Sequence, residues 1–380
     1  MSNAQDKFIP FTHVHVSGRE IDYIRQAIES SRLGGDGPFS KRCESWLEQH
    51  IGSARALLTH SATAALEMAA ILSDVQPGDE VILPSFTFVS TANAFVLRGA
   101  IPVFVDIDPQ TLNIDPAQVR NAVTSRTRAI VPMHYAGVAC DMDALLDIGR
   151  NANAMIIEDA AQALLADWNG RPLGSIGAMA ALSFHETKNV TSGGEGGCIL
   201  INDPALIERA EIIREKGTNR SRFHRGEVDK YTWVDVGSSY LPSELTAAFL
   251  LAQLELSAEI TNARRRVWTW YHEALEPLER DGFLTRPTTG AGNAHIYFVL
   301  LPSLVKRTAL IDALKREKIG AVFHYVPLHN SPAGRRYGRT SGSLAVTERI
   351  SDTLLRLPLW ADMTKEDVER VVDAMTHALH

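Results

Sequence analysis

Cysteine is scarce: Cys43, Cys140 and Cys198 are the three in 380 residues, and they stand far apart. No Cys-x-x-Cys occurs. That pattern argues against a disulfide framework and against a structural zinc ribbon, and a reduced cytoplasmic protein is the expectation. No apolar run approaches the roughly eighteen residues of a membrane span. The opening residues, Met1-Ser-Asn-Ala-Gln-Asp-Lys7, are polar and lack a secretory signal core. A surplus of positive charge is missing too: the formal net charge is −7, which argues against wholesale nucleic-acid binding. Several motifs are absent. Gly193-Gly-Glu-Gly-Gly197 does not match the Gly-x-Gly-x-x-Gly dinucleotide fingerprint, and it precedes a strand rather than opening a helix. There is no Walker lysine loop. The 13 histidines contain no His-Glu-x-x-His pair. His324 and His329, in Phe323-His-Tyr-Val-Pro-Leu-His329, could face one metal, but no third ligand stands nearby and no metal site is expected. A substrate-pocket reading of these two histidines, with Tyr325 and His329 contacting the substrate, is the better functional one. Ordinary hydrogen-bonded histidines remain a comparable one.

What is present is the composition of a globular protein, 45% hydrophobic and 22% charged. The length suits one large α/β domain and a smaller one. Short apolar strand candidates run over 56–59, 80–83, 103–106, 129–133, 155–158, 180–184 and 198–201. Helical segments near 63–72, 91–98, 116–123, 142–153 and 204–216 separate them. A helix over 20–32 precedes the series. Nearly continuous apolar strands alternating with helices imply a mostly parallel, seven-stranded sheet covered on both faces. Ligands bind such sheets beyond the strands' carboxyl ends. The expected organisation is a large domain over 1–240 with an N-terminal arm, a long connecting helix over 241–285, and a small α/β domain over 286–380. The small domain should hold strands at 295–301 and 321–326, a helix over 308–318, and two terminal helices.

Chemistry concentrates at strand ends. Lys188 lies in Ser183-Phe-His-Glu-Thr-Lys-Asn189, just past a strand and before a glycine cluster. A lysine amine can form a Schiff base with an aldehyde, which pyridoxal 5'-phosphate exploits as an electron sink. The plain alternative is a surface lysine at a strand end. Glu158-Asp-Ala-Ala-Gln162 closes the strand over 155–158. Asp159 there could hold a pyridine nitrogen protonated, and Gln162 could reach the phenolic oxygen; a simple helix N-cap is the competing account of Asp159. His60-Ser-Ala-Thr-Ala-Ala65 opens a helix after the first core strand. Helix N-termini bind phosphate through free amides and the helix dipole, and Ser61, Ala62 and Thr63 stand there, with Ser183 as a further hydroxyl. Plain capping again competes. Phe88 could stack on the pyridine ring, although a lone Phe is usually core.

These stretches resemble the DegT/DnrJ/EryC1/StrS sugar aminotransferases, which have the aspartate aminotransferase (type I PLP) fold. The matching segments are Pro84–Gly99, His134–Cys140, Ser183–Asn189, Arg214–Ser221, Asp229–Trp233 and Gly237–Leu241. The resemblance implies catalytic Lys188 and Asp159, and cofactor contacts from Ser61, Ala62, Thr63, Phe88, Gln162 and Ser183. Many relatives have Gly-Tyr-Asn-Tyr where this chain has Gly237-Ser-Ser-Tyr240. Ser239 therefore stands where an asparagine reaches the neighbouring subunit's phosphate, and it is shorter. A homodimer with shared active sites is implied, as are L-glutamate and dTDP-4-keto-6-deoxyglucose as substrates. The polar connection 220–239 should contact the nucleotide sugar through Arg225, Lys230 and Tyr231. A sugar dehydratase on the same fold often carries histidine at the lysine position, so Lys188 argues against it. No appended basic helix-turn-helix supports a regulator.

Overall fold

The computed structural model describes residues 8–380, and the polar start at Met1–Lys7 lies outside them. Strands β1 (Arg55–Thr59), β2 (Glu80–Pro84), β3 (Ile101–Val105), β4 (Thr127–Ile130) and β5 (Met155–Asp159) come first. A small hairpin follows, β6 (Asp167–Trp168) and β7 (Arg171–Pro172), and then β8 (Met179–Ser183) and β9 (Gly197–Ile201). The expected core strands are all present. The hairpin was not foreseen, because two-residue strands carry no periodicity.

The main sheet runs β1-β9-β8-β5-β4-β2-β3, and only β9 opposes the common direction. Helices at Ala62–Leu72, Val89–Val96, Pro116–Ala122 and Met142–Ala152 link its strands. Alternation along β2 explains the two layers. Val81 and Leu83 pack with Leu66 and Met68 on one face, and Ile82 packs with Val103 and Leu145 on the other. Both faces are buried, as a parallel sheet requires.

The small domain adds β10 (Tyr297–Leu300), β11 (Val322–Phe323), β12 (Arg339–Thr340) and β13 (Leu354–Leu357). β10, β13 and β11 form a three-stranded antiparallel sheet with β13 in the centre. β12 leaves this domain and pairs in parallel with β3, so the large sheet has eight strands rather than seven. Charge makes that edge specific. Arg339 donates to both oxygens of buried Glu80 at 3.0 and 2.9 Å, and Arg126 reaches the same carboxylate at 2.6 Å.

The single long helix expected over 241–285 is three helices. Glu244–Glu255 starts on Ser243, whose side chain caps Thr246 N, and a break at Leu256 precedes Ser257–Ala274 and Glu276–Arg280. Leu256 has φ −108° and ψ 6°, so the chain turns without a glycine or proline to announce it. A further helix, Pro38–Ile51, has Pro38 in its first turn. Among the described residues, no helix is long and apolar enough to cross a membrane.

Candidate active site

A cavity of about 490 Å³ opens at the carboxyl ends of the parallel strands and is closed from the other side by the small domain. Lys188, Asp159, Gln162, Ser61, Ala62, Thr63, Phe88, Ser183 and Tyr325 all line it. They come from five separate stretches of chain, so the fold assembles what the sequence scatters.

Lys188 follows β8 in a turn closed by its own N–H on His185 O at 2.9 Å. Burial pushes its ammonium down to about 8, against the pull of the Asp159 carboxylate and with a further push from Arg356. The free amine is the nucleophilic form, so reactivity toward an aldehyde should rise with pH and level off above about 8. A solvent lysine would still be mostly protonated there, with a pKa of about 10.4. The rate of cofactor recombination against pH measures this midpoint. A midpoint near 10 would mean that the amine is solvated.

Asp159 is 4% exposed at the end of β5. Thr91 Oγ1 donates to its Oδ2 at 2.6 Å, and Ala161 N donates to its Oδ1 at 3.1 Å. The chain after it turns instead of forming a helix, so the N-cap account of Asp159 fails. Its neighbour Glu158 points the opposite way, as strand alternation demands. Glu158 accepts from the amides of Gly174, Ile176 and Gly177 at 2.8, 2.8 and 2.7 Å. Cys140 N donates to His134 Nδ1 at 3.2 Å, so His134 Nε2 carries the hydrogen that meets Glu158 at 3.0 Å. This buried cluster fixes the strand end from behind. His134 N also bonds Asp159 O at 3.3 Å.

Ser61 does cap its helix: Ala64 N donates to its Oγ at 3.1 Å, and Ala65 N reaches its carbonyl at 3.2 Å. The earlier amides, those of Ala62 and Thr63, have no carbonyl one turn back in the helix and lie at the cavity. Capping and anion binding are therefore compatible here. β9 makes room for the turn. A Cβ on Gly197 would stand 2.3 Å from Ser61 C and 2.4 Å from Ala62 N, so only glycine lets the turn nest there. Phe88 is 56% exposed where it borders the cavity, unlike a core aromatic. Gln162 accepts from Ala136 N at 2.7 Å and donates to Tyr325 OH at 2.9 Å, which ties the strand end to the small domain.

Five expected residues do not line this cavity. Ser239 is exposed and bridges to Glu215. Arg225, Lys230 and Tyr231 are exposed on the 220–239 connection. Arg225 is also engaged: it donates to Glu227 at 2.6 Å and to Glu211 at 2.7 Å. His329 is held between Ser85 Oγ at 2.7 Å and Glu348 at 3.2 Å, outside the lining. Its former companion His324 does line the cavity and meets Tyr135 OH at 3.1 Å, so the two histidines serve different partners. Arg264, His295 and Arg356 are among the cavity residues that the sequence reading does not single out. Arg356 left a readable signal, a lone charge inside the apolar run Leu354-Leu-Arg-Leu-Pro-Leu359.

An amine of lowered pKa, a buried carboxylate and a helix N-terminus around one cavity fit pyridoxal 5'-phosphate, and with this fold they define a type I PLP-dependent transferase. The comparisons are specific. The model of the DegT/DnrJ/EryC1/StrS aminotransferase family matches residues 15–376, and the chain belongs to that family. It is 33% identical to a GDP-perosamine synthase of Caulobacter vibrioides over 96% of each chain. It is also 33% identical to a UDP-4-amino-4-deoxy-L-arabinose–oxoglutarate aminotransferase of Shewanella sediminis, over 99% of this chain and 98% of the other. Among solved structures, the aminotransferase TlmJ of Streptoalloteichus hindustanus superposes with a TM-score of 0.90 at 29% identity, covering 98% of this chain and 99% of that one. Enzymes of this family depend on pyridoxal 5'-phosphate.

Proposed function

We propose that this protein transfers the amino group of L-glutamate to C4 of dTDP-4-keto-6-deoxyglucose, releasing 2-oxoglutarate and dTDP-4-amino-4,6-dideoxygalactose. The observation that carries the transaminase reading is Lys188 facing Asp159 in one cavity with its ammonium pushed down to about 8. Two relatives bear the names of amino-sugar enzymes, one a GDP-sugar synthase and one a UDP-sugar aminotransferase. That supports a nucleotide-sugar acceptor. The dTDP nucleotide and the galacto configuration rest on the resemblance of the segments named above.

When bound, pyridoxal 5'-phosphate supplies the electron sink that stabilises charge on the carbon losing or gaining nitrogen. The chain's own residues do the rest. The amides of Ala62 and Thr63 and the hydroxyls of Ser61 and Ser183 would hold the phosphate. Phe88 would cover the ring, Gln162 would meet the phenolic oxygen, and Asp159 would keep the ring nitrogen protonated. Lys188 would accept and return one proton at Nζ, a task suited to a group whose pKa lies near working pH. His324 and His295 are pushed well below their usual range, first by burial and then by nearby cations, so they serve as neutral hydrogen-bonding groups in the same wall.

The 220–239 connection needs a separate role. It carries Lys230, Tyr231 and a 77%-exposed Trp233, all outside the cavity of its own chain. We read it as a segment that reaches the active site of a second copy in a homodimer, with Ser239 beside that copy's phosphate turn. Lys230 and Tyr231 then contact the nucleotide, and Arg225 braces the segment through Glu211 and Glu227.

The test is incubation of the loaded enzyme with dTDP-4-keto-6-deoxyglucose and L-glutamate, following 2-oxoglutarate and assigning C4 by NMR. Glutamate-dependent amine transfer with an axial C4 amine is expected. An equatorial amine would reassign the product to the gluco epimer. A deoxygenated sugar formed without glutamate would replace the transaminase reading with a dehydratase.

A further inference from the structure

Two acidic side chains line the cavity, Asp159 and Glu195. Asp159 is buried and accepts on both oxygens. Glu195 is 69% exposed, and the single partner of its carboxylate among the described residues is His185, whose Nε2 lies 3.5 Å from Oε1. Glu195 is also the one residue with a side chain in Gly193-Gly-Glu-Gly-Gly197. Packing accounts for the last two glycines. A Cβ on Gly196 would stand 2.2 Å from Ser192 Oγ, and one on Gly197 would strike the Ser61 turn. Packing does not account for a carboxylate beside them.

The backbone under Glu195 is tied to the turn that carries Lys188. Phe184 N donates to Gly196 O and Glu186 N to Gly194 O, both at 2.8 Å, and Lys188 N closes the same turn on His185 O. Ser192 Oγ donates to the Glu195 carbonyl at 2.7 Å. His185 steadies the side chain. Thr187 N and Thr187 Oγ1 meet His185 Nδ1 at 3.2 and 3.0 Å, so Nδ1 accepts and Nε2 carries the hydrogen that faces Glu195. The carboxylate keeps accepting capacity toward the cavity, on a rigid support one turn from the reacting amine.

A carboxylate only accepts, so its ligand must present donors. The phosphates of cofactor and nucleotide and the carboxylates of the amino donor are anions, which Glu195 repels. The neutral hexose remains. In a 4-keto-6-deoxyhexose held through C1, hydroxyls stand only at C2 and C3, and C3 adjoins the carbon that receives nitrogen. Two vicinal hydroxyls match the two oxygens of one carboxylate, and hydrogen bonds to an ionised acceptor are the strong ones. We propose that Glu195 recognises the acceptor sugar, its carboxylate accepting from the C2 and C3 hydroxyls while His185 holds it in place. The proposal rests on the nucleotide-sugar reading above and deepens it.

Two measurements test this. The first takes the cofactor-loaded wild type, Glu195→Gln and Glu195→Ala through each half-reaction separately. Loss of hydrogen bonds to a charged group should lower kcat/KM for the keto sugar roughly 10- to 150-fold in Glu195→Ala. Glu195→Gln keeps one acceptor and should lose less. The glutamate half-reaction should move the other way, rising up to about fivefold at low salt, because a charge that repels the donor's carboxylates is gone. A merely structural role would lower both half-reactions. That result, a fall confined to glutamate, or dissociation of an oligomer in either variant would overturn the assignment. The other measurement needs no turnover. Calorimetry compares dTDP-glucose with its 3-deoxy analogue, which has the same charge. Wild type should prefer dTDP-glucose by about tenfold or more, and Glu195→Ala should lose most of that preference. Equal binding of both by wild type, or an undiminished preference in the variant, rejects the hydroxyl contact. A wild type that aminates a GDP- or UDP-linked keto hexose instead, with the same loss in Glu195→Ala, would keep this inference and discard the dTDP reading. A wild type that aminates no keto hexose overturns both.

Discussion

Lys188→Ala abolishes amine transfer and leaves the fold intact. The side chain is placed by a turn after β8 and, among the described residues, makes no hydrogen bond or ion pair that the fold depends on. Its removal therefore deletes chemistry rather than support. Two tasks vanish together: covalent attachment of the cofactor and proton transport at Nζ. General acid–base help alone is worth about 10²–10⁴-fold, so the combined loss should reach several orders of magnitude. Single-turnover amine transfer measures the loss, and circular dichroism with a thermal melt checks the fold. Transfer within tenfold of wild type would remove Lys188 from the mechanism.

Asp159→Asn should retain bound cofactor and lose most activity. The carboxylate is 4% exposed and accepts from Thr91 Oγ1 and Ala161 N, one bond on each oxygen. Asparagine keeps one acceptor, presents a donor where the other stood, and carries no charge. It cannot balance a protonated ring nitrogen, so the electron sink weakens. Preorganised charge at a reacting centre is typically worth on the order of 10²–10³ in rate, which sets the expected loss. A second readout has a definite sign. The Asp159 carboxylate raises the Lys188 pKa, so its removal should move the lysine midpoint below about 8, not above it. Full activity with an unmoved midpoint would leave Asp159 as a turn residue.

The large domain was legible because its signals are local and strong. Each core strand is a short apolar run ended by a polar residue, and each linking helix has its own period. Asp159, Lys188 and the Ser61 turn stood out for the same reason: chemistry-bearing residues directly follow buried strands. The features that are not legible in the sequence share another cause. β6, β7 and β12 are two residues long and exist only because a partner strand is there to pair with. The break at Leu256 follows no glycine or proline, so a helical pattern runs through it. In the sequence His329 reads as a pocket residue, but Ser85 and Glu348, 244 and 19 residues away in the chain, claim its ring.

The sequence by itself determined the alternation of strand and helix, the sheet that follows from it, and the residue types that can do amine chemistry. These depend on hydrophobic periodicity and on reactivity, both of which are written residue by residue. Only the tertiary structure decided which charges meet. It lowered the Lys188 ammonium by burying it, turned Glu158 away from the cavity and Asp159 toward it, and tied Arg225 to two glutamates. It also carried Arg356 across from a strand near the end of the chain to face the cavity without a counterion. Electrostatics depends on distance and burial in space, and neither can be read from separation along the chain.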